Sequence, residues 1–267
     1  MSTLKGKRVL ITGGASGIGK ITGRLALEHG AELIIWDINT NQMEETRKEL
    51  SKLGIVHGYT VDISSVEQIR SAATHMKEQV GEVDVLINNA GIVVGKYFHE
   101  HTTQDILKTM EINANAPMLV TLEFLPDMIS RNSGHICNIA SSAGLISNPK
   151  MSVYAASKWA VIGWSDSLRI EMQQLKKNIG VTTVTPYYIN TGMFDGVRSL
   201  VPILKPEKVA RKIIRGIEHN RIFVSMPWSV HFVRFSQGLL PIRLFDWFVG
   251  GVMGIYKTMD HFTGRKQ

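Results

Sequence analysis

Tyr154 and Lys158 stand four residues apart, so a helix carries them on one face, one turn from each other. An ordinary phenol keeps its proton up to about pH 10, too high for a base at neutral pH. A lysine ammonium one turn away favours the phenolate and is expected to lower that value. Ser141 lies thirteen residues before Tyr154, directly after a run, Gly134 to Ala140, that reads as a strand. A connecting loop would fold its hydroxyl back toward the phenol. The three side chains then supply a proton donor and acceptor, a charge that tunes it, and a hydroxyl to hold a substrate oxygen. Such a set suits the interconversion of an alcohol and a carbonyl. The Tyr-x-x-x-Lys spacing also arises in helices where the tyrosine is packing and the lysine a solvated charge. Its meaning therefore depends on whether a hydride acceptor is provided for elsewhere.

The first forty residues make that provision. Val9-Leu10-Ile11 is a short β run, followed by Thr12-Gly13-Gly14-Ala15-Ser16-Gly17-Ile18-Gly19 and a helical pattern to His29. In that setting Gly13 permits a tight turn, Gly17 lets the backbone approach a pyrophosphate, and Gly19 allows close packing of helix on strand. Ser16 and Ile18 belong to the same turn, which places the helix N-terminus at the phosphates. The next strand, Leu33 to Trp36, ends at Asp37, whose carboxylate can accept from both adenosine ribose hydroxyls and would repel a 2′-phosphate. The expected cofactor is NAD rather than NADP. Lys20 argues mildly the other way, though a solvated surface charge is its simpler role. Asp62 and Ile63 follow the third strand and suit the adenine amino group and ring; Asp62 as a helix N-cap is the alternative. Asn88-Asn89-Ala90-Gly91 ends the fourth strand as a crevice wall, unless its amides only satisfy loop backbone. Further on, a loop led by Pro186 and containing Ile189 and Thr191 can hold the nicotinamide amide. Met193 to Val201 would be an apolar flap over the substrate.

These motifs need a frame. The chain has 267 residues, 44% of them hydrophobic, enough to bury the core of one α/β domain. Strands and helices alternate without internal repeats, the pattern of a single doubly wound parallel sheet of seven strands. A long helix is expected from Thr103 to Ile129; Asn113 lies inside it, where an amide is costly unless used, and Pro117 soon after suggests a kink. Met151 to Lys176 is the helix bearing Tyr154 and Lys158. Its small residues Ala155, Ala156, Ala160 and Gly163 suit close approach of a second copy. Net charge is +7, yet no basic run of five or more occurs, so nucleic acid is not an expected partner. The single cysteine, Cys137, excludes an internal disulfide and fits a reducing compartment. Met1 to Arg8 is polar, with no secretory signal or spanning helix, and a cytoplasmic protein is expected. His99-Glu100-His101 lacks a third ligand and helical spacing, so no metal is expected.

Taken together, Thr12-Gly-x-x-x-Gly-Ile-Gly19, Asn88-Asn-Ala-Gly91, Ser141, Tyr154-x-x-x-Lys158 and Pro186 to Thr191 resemble the short-chain dehydrogenase/reductase family over residues 5 to 225. The resemblance implies a Rossmann-type fold, Tyr154 as general acid/base, Lys158 as its modulator and ribose anchor, Ser141 as holder of the substrate oxygen, and Asn113 as support for a proton relay. The thirteen-residue interval favours Ser141 over the adjacent Ser142. Pro186-Tyr187 departs from the Pro-Gly of many members and would narrow the pocket near the nicotinamide. Trp36-Asp-Ile-Asn39, Gly134-His-Ile136, Ile139 to Gly144 and Met259 to Gly264 are similar to retinol dehydrogenases and 17-beta-hydroxysteroid dehydrogenases, which oxidise apolar alcohols and associate with membranes. A homodimer or homotetramer is implied.

The final stretch, residues 226–267, reads as an extension of different character. From Arg221 onward six Lys/Arg face two Asp/Glu, and nine of the chain's 20 Phe, Trp and Tyr are found there. Arg234, Arg243 and Lys257 interrupt the apolar run, so it does not read as a spanning helix. It would lie on an anionic lipid surface, cover the cleft, or pack on a partner subunit. The expected activity is NAD-dependent oxidation of an apolar alcohol (retinoid, steroid or long-chain) or reduction of its carbonyl. A 3-oxoacyl-thioester reductase is the same-class alternative, and a non-catalytic nucleotide-sensing or lipid-surface scaffold the other.

Overall fold

The computed structural model describes residues 3–264, apart from the side chain of Arg234, a tail cation singled out above that lies outside this description. Seven strands form one parallel sheet in the order β3-β2-β1-β4-β5-β6-β7. They are β1 (Arg8–Thr12), β2 (Glu32–Asp37), β3 (Val56–Thr60), β4 (Val85–Asn88), β5 (Gly134–Ile139), β6 (Ile179–Pro186) and β7 (Phe223–Met226). β1, β2 and β4 read as nearly unbroken Val/Ile/Leu runs because both sheet faces are covered there. Period-two alternation divides them. Val9, Ile11, Leu33 and Ile35 face one core with α1 (Gly17–Glu28) and α7 (Pro206–Glu218). Leu10, Ile34, Trp36 and Leu86 face the other. Helices α3 (Val66–Gln79), α5 (Ala116–Ser130) and α6 (Ser152–Gln174) cover that second face, and Phe124 of α5 lies 5.7 Å from Trp36, ring centre to ring centre. The remaining helix on the nucleotide side, α2 (Thr40–Leu50), is capped by Asn39, which accepts from the N–H of Gln42.

Strand order reverses between β1 and β4, and a cleft opens there at the carboxyl ends of the strands. Three local features differ from the sequence reading. The expected helix from Thr103 to Ile129 is not continuous: α4 (Thr103–Met110) gives way to a π-helical turn over Glu111–Asn115 before α5 begins. Pro117 sits in the first turn of α5, where its missing N–H costs nothing. Asp62 is not the cap of α3; Ser65 is, while Asp62 accepts from the N–H and hydroxyl of Ser64.

The tail folds into short pieces, α8 (His231–Leu239), α9 (Ile242–Asp246), a π-helical stretch Trp247–Val252 and a 3-10 turn Ile255–Lys257. Phe245, Val249, Ile255 and Met259 pack into a third core cluster with Tyr154, Tyr187 and Tyr188. The tail therefore closes over the end of the sheet where the cleft lies. Among the described residues no helix is long and apolar enough to cross a membrane.

Candidate active site

The nucleotide end of the cleft is built from backbone. Gly13 has φ +63°, and a Cβ there would come within 2.9 Å of Ala90 Cα. At Gly19 a Cβ would meet the Gly13 carbonyl oxygen at 2.3 Å, so α1 starts tight against the turn rather than against a strand. Asn89 locks this arrangement by donating from Nδ2 to the carbonyls of Thr12 and Gly13, each at 3.0 Å. Thr12 Oγ1 accepts in return from the N–H groups of Asn89 and Ala90. The amide thus does satisfy loop backbone, and in doing so it shapes the turn. Ser16 precedes α1 without capping it through its side chain, and the first turn carries no acid, so the helix N-terminus is open to an anion. Asp37 accepts from the Ala15 N–H at 3.0 Å with one oxygen and from the Asn39 N–H at 3.1 Å with the other. Each oxygen accepts only one such bond and retains further acceptor capacity, and Asp37 lines the cleft. Lys20, the mild counter-indication, is paired with Glu49 at 2.7 Å.

Gly13, Ser16, Gly17, Ile18, Asp37, Asp62, Ile63, Asn89, Ala90, Gly91, Pro186, Ile189 and Thr191 all line one cleft, together with Ser141, Tyr154 and Lys158. The residues fit a dinucleotide: an uncapped helix end for phosphates, a carboxylate for the ribose, and apolar walls from Trp36, Ile38 and Val61 for a flat ring.

Ser141, Tyr154 and Lys158 form the floor of the other end. Ser141 follows β5 after Ala140, and its Oγ accepts from the Ala143 N–H at 3.1 Å and bonds the Tyr154 hydroxyl. Ser142 does not line this cleft. Lys158 Nζ donates to the Ile139 carbonyl at 3.0 Å and lies 5.7 Å from the centre of the Tyr154 ring. Burial pushes the Tyr154 hydroxyl up to about 12, against the pull of its hydrogen bond with Ser141. Burial likewise brings Lys158 down to about 8. The expected lowering of the phenol is therefore not found: desolvation outweighs the lysine one turn away, and a phenolate at neutral pH needs further positive charge close by.

Asn113 sits on the π turn, fully buried, and does not line the cleft. Its Oδ1 accepts from the Ile92 N–H and its Nδ2 donates to the Ile92 carbonyl, both at 2.8 Å. The second amide hydrogen goes to Ser157 Oγ at 3.2 Å, and that hydroxyl donates to the Tyr154 carbonyl at 2.7 Å. The side chain braces the loop after β4 against the helix that carries Tyr154.

Several contacts had no pattern in the sequence, even where the segment itself, the Pro186–Tyr187 loop or the flap, was expected at the site. Phe194 of the flap stands edge-on to Tyr154, ring centres 6.0 Å apart. The Tyr187 hydroxyl bonds Ser199 Oγ at 2.8 Å and so ties the Pro186 loop to the flap. A smaller hollow beside Ser141 is lined by Asn148, Tyr188 and Ile255. There Asn148 Nδ2 donates to Tyr188 Oη at 2.9 Å and to Thr258 Oγ1 at 2.8 Å. The signal that could have revealed them, aromatic residues near the Pro186 loop and in the tail, was visible only as composition. Among the described residues no three His, Cys, Asp or Glu side chains gather as a metal site.

Comparison with known proteins agrees with this geometry. The short chain dehydrogenase family profile matches residues 7–200. Epidermal retinol dehydrogenase 2 of Mus musculus is 38% identical over 269 residues, 98% of this chain and 87% of that protein. Estradiol 17-beta-dehydrogenase 11 of Homo sapiens is 36% identical over 244 residues, 90% of this chain and 81% of that protein. A crystal structure of a short chain dehydrogenase/reductase from Burkholderia phymatum in complex with NAD superposes with a TM-score of 0.83 at 25% identity, covering 91% of this chain and 96% of the other. The chain belongs to the short-chain dehydrogenase/reductase family, oxidoreductases that act on alcohol CH–OH groups with a nicotinamide cofactor.

Proposed function

We propose that this protein interconverts an apolar alcohol and its carbonyl, with NAD as the cofactor. The observation that carries the reading is a single cleft with an open helix end and Asp37 at one extremity and Ser141, Tyr154 and Lys158 at the other. The substrate wall supports an apolar ligand, since Tyr187, Met193 and Phe194 line it. The relatives named for retinol and estradiol point the same way. NAD is favoured over NADP because Asp37 presents a carboxylate at the ribose position and Lys20 is engaged by Glu49.

In oxidation, Ser141 holds the substrate hydroxyl oxygen, and the Tyr154 phenolate takes its proton and becomes the neutral phenol. A nicotinamide held between the Gly13–Ile18 turn and the Pro186–Thr191 loop would supply the acceptor for the hydride of the carbinol carbon. Lys158, charged below about pH 8, stabilises the phenolate that accepts this proton, and Asn113 keeps the helix of Tyr154 in register with the Ile92 loop. Phe194 and the tail exclude water from the reacting atoms. In reduction Tyr154 returns the proton.

The catalytic unit spans residues 1–225, with 226–267 as its cover. A homodimer or homotetramer fits the exposed face of α6, where Ala156, Trp159 and Gly163 are open and nothing lies within 4 Å of a Cβ at Gly163. The protein would work in the cytoplasm, in contact with a membrane surface. The test is turnover of retinol, hydroxysteroids and long-chain alcohols with NAD and with NADP. Oxidation of one class with NAD preferred supports the reading; activity confined to acyl thioesters with NADPH would replace it.

A further inference from the structure

Beside Ser141 the substrate end of the cleft adjoins a hollow of about 20 Å³. Ser141, Tyr187 and Phe194 line both spaces. One water needs roughly 10–15 Å³ of such room, so the hollow is sized for a single hydroxyl rather than a chain. Most of its polar groups are already engaged. Ser141 Oγ meets the Ala143 N–H and the Tyr154 hydroxyl, and the Tyr187 hydroxyl meets Ser199. Asn148 is different. Its Nδ2 spends both hydrogens, on Tyr188 Oη at 2.9 Å and Thr258 Oγ1 at 2.8 Å. Its Oδ1 is buried and meets no donor, and of the described buried atoms left unpaired it alone belongs to this hollow. Thr258 decides which end of the amide faces it. That hydroxyl donates to the Ile255 carbonyl at 2.8 Å, so toward Asn148 its oxygen can only accept. A flipped amide would set two acceptors against each other. Asn148 also borders an outer groove, but the buried Oδ1 is not the part that meets solvent there. A buried acceptor without a donor is costly, and it calls for a reason.

We infer that Asn148 Oδ1 determines specificity by accepting a hydrogen bond from a second hydroxyl of the substrate, placed close to the reacting carbon. The substrate oxygen sits at Ser141, and the hollow beside Ser141 has room for one hydroxyl. The two oxygens therefore stand on adjacent or nearly adjacent carbons. That describes a vicinal diol, or the matching hydroxy ketone, on an otherwise apolar chain. Ile146, Met151 and Ile255 complete the hollow with apolar walls, which leave the amide oxygen as the group that reads the hydroxyl. An alcohol without the second hydroxyl leaves Oδ1 unpaired. A pocket built to bond a hydroxyl rejects its deoxy analogue in this way, whereas an apolar pocket barely separates the two. The inference rests on the alcohol–carbonyl reading above and narrows its substrate class.

The experiment compares vicinal octanediol with the secondary and primary octanols on the full chain. NAD reduction gives kcat/KM for each, and calorimetry in the presence of NADH gives each affinity. The parent chain should favour the diol by about tenfold or more in both measures. Asn148→Leu should bring that ratio close to one. Tyr188→Phe should keep it, because Thr258 still orients the amide. A side chain that only braced its loop would weaken all three alcohols alike and leave the ratio unmoved in Asn148→Leu. Such an unmoved ratio would overturn the inference. So would a parent chain without preference for the diol, a result that needs no variant to fold. A diol bound about tenfold more tightly than the octanols, with no NAD reduction by any of them, would uphold the anchor and overturn the dehydrogenase reading. Turnover of all three without preference would do the reverse.

Discussion

Asn113 closes on Ile92 with both ends of its amide, accepting from the N–H and donating to the carbonyl at 2.8 Å each. That pair of bonds joins the loop after β4 to the π turn, and through Ser157 to the backbone of Tyr154 itself. Asn113→Leu leaves the partly buried N–H and carbonyl of Ile92 without their partner and is expected to cost about 2–4 kcal/mol of stability. Asn113→Asp keeps the acceptor and loses the donors. It should unfold less readily than the Leu variant yet lower kcat more than it changes KM, as measured by urea titration and steady-state kinetics.

Lys158 places its ammonium 5.7 Å from the centre of the Tyr154 ring. Removing it as Lys158→Met raises the phenol further, because a positive charge that favours the phenolate is gone. Turnover should fall by about two orders of magnitude or more. The residual rate of alcohol oxidation should keep rising to higher pH than in the parent protein. A pH–rate profile of both proteins checks this; an unshifted profile contradicts it.

Asp37 serves the cofactor and the fold together. Asp37→Ala removes the acceptor for the Ala15 N–H along with the repulsion of a 2′-phosphate. NAD should bind at least about tenfold more weakly and the preference over NADP should narrow. Titration with both nucleotides measures each effect, and an unchanged preference would show that Asp37 does not choose the cofactor.

His135 is a buried histidine of the sheet with no part in the cleft. Thr182 Oγ1 donates to the Arg221 carbonyl, so His135 Nε2 carries the hydrogen shared with Thr182 at 2.8 Å. Burial lowers this imidazole to about 4. The unfolded chain protonates it near pH ~6.5, so between those values the unfolded state binds more protons and stability falls as pH falls. The loss amounts to about 3 kcal/mol. Urea unfolding at neutral and acid pH should show it, and His135→Leu should flatten it.

Much of the site could be read from residue order because its parts are local. A glycine turn between strand and helix, an acid at the end of β2, and a tyrosine and lysine one turn apart each depend on neighbours within a few residues. The sheet was legible for the same reason, from short apolar runs separated by turns. What escaped depends on distance. The π turn at Glu111–Asn115 exists where Asn113 meets Ile92, 21 residues away. The acidity of Tyr154 is set by burial under Phe194 and the tail, which no spacing reveals. Asn148 and Thr258 meet across 110 residues. The tail's composition showed aromatics and cations, but which of them face Tyr154 and which face outward is decided by the break at Leu240 and Pro241.

The central claim is that Tyr154 moves the proton in a hydride transfer to a bound nicotinamide. Its most direct test is the absorbance change of NAD on mixing with the best alcohol of the panel, in the parent chain and in Tyr154→Phe, with NAD affinity measured for both. The account predicts reduction of NAD by the parent chain, a loss of about 10²–10⁴-fold in Tyr154→Phe, and NAD affinities that agree within a few-fold. Turnover in Tyr154→Phe equal to that of the parent chain would contradict it.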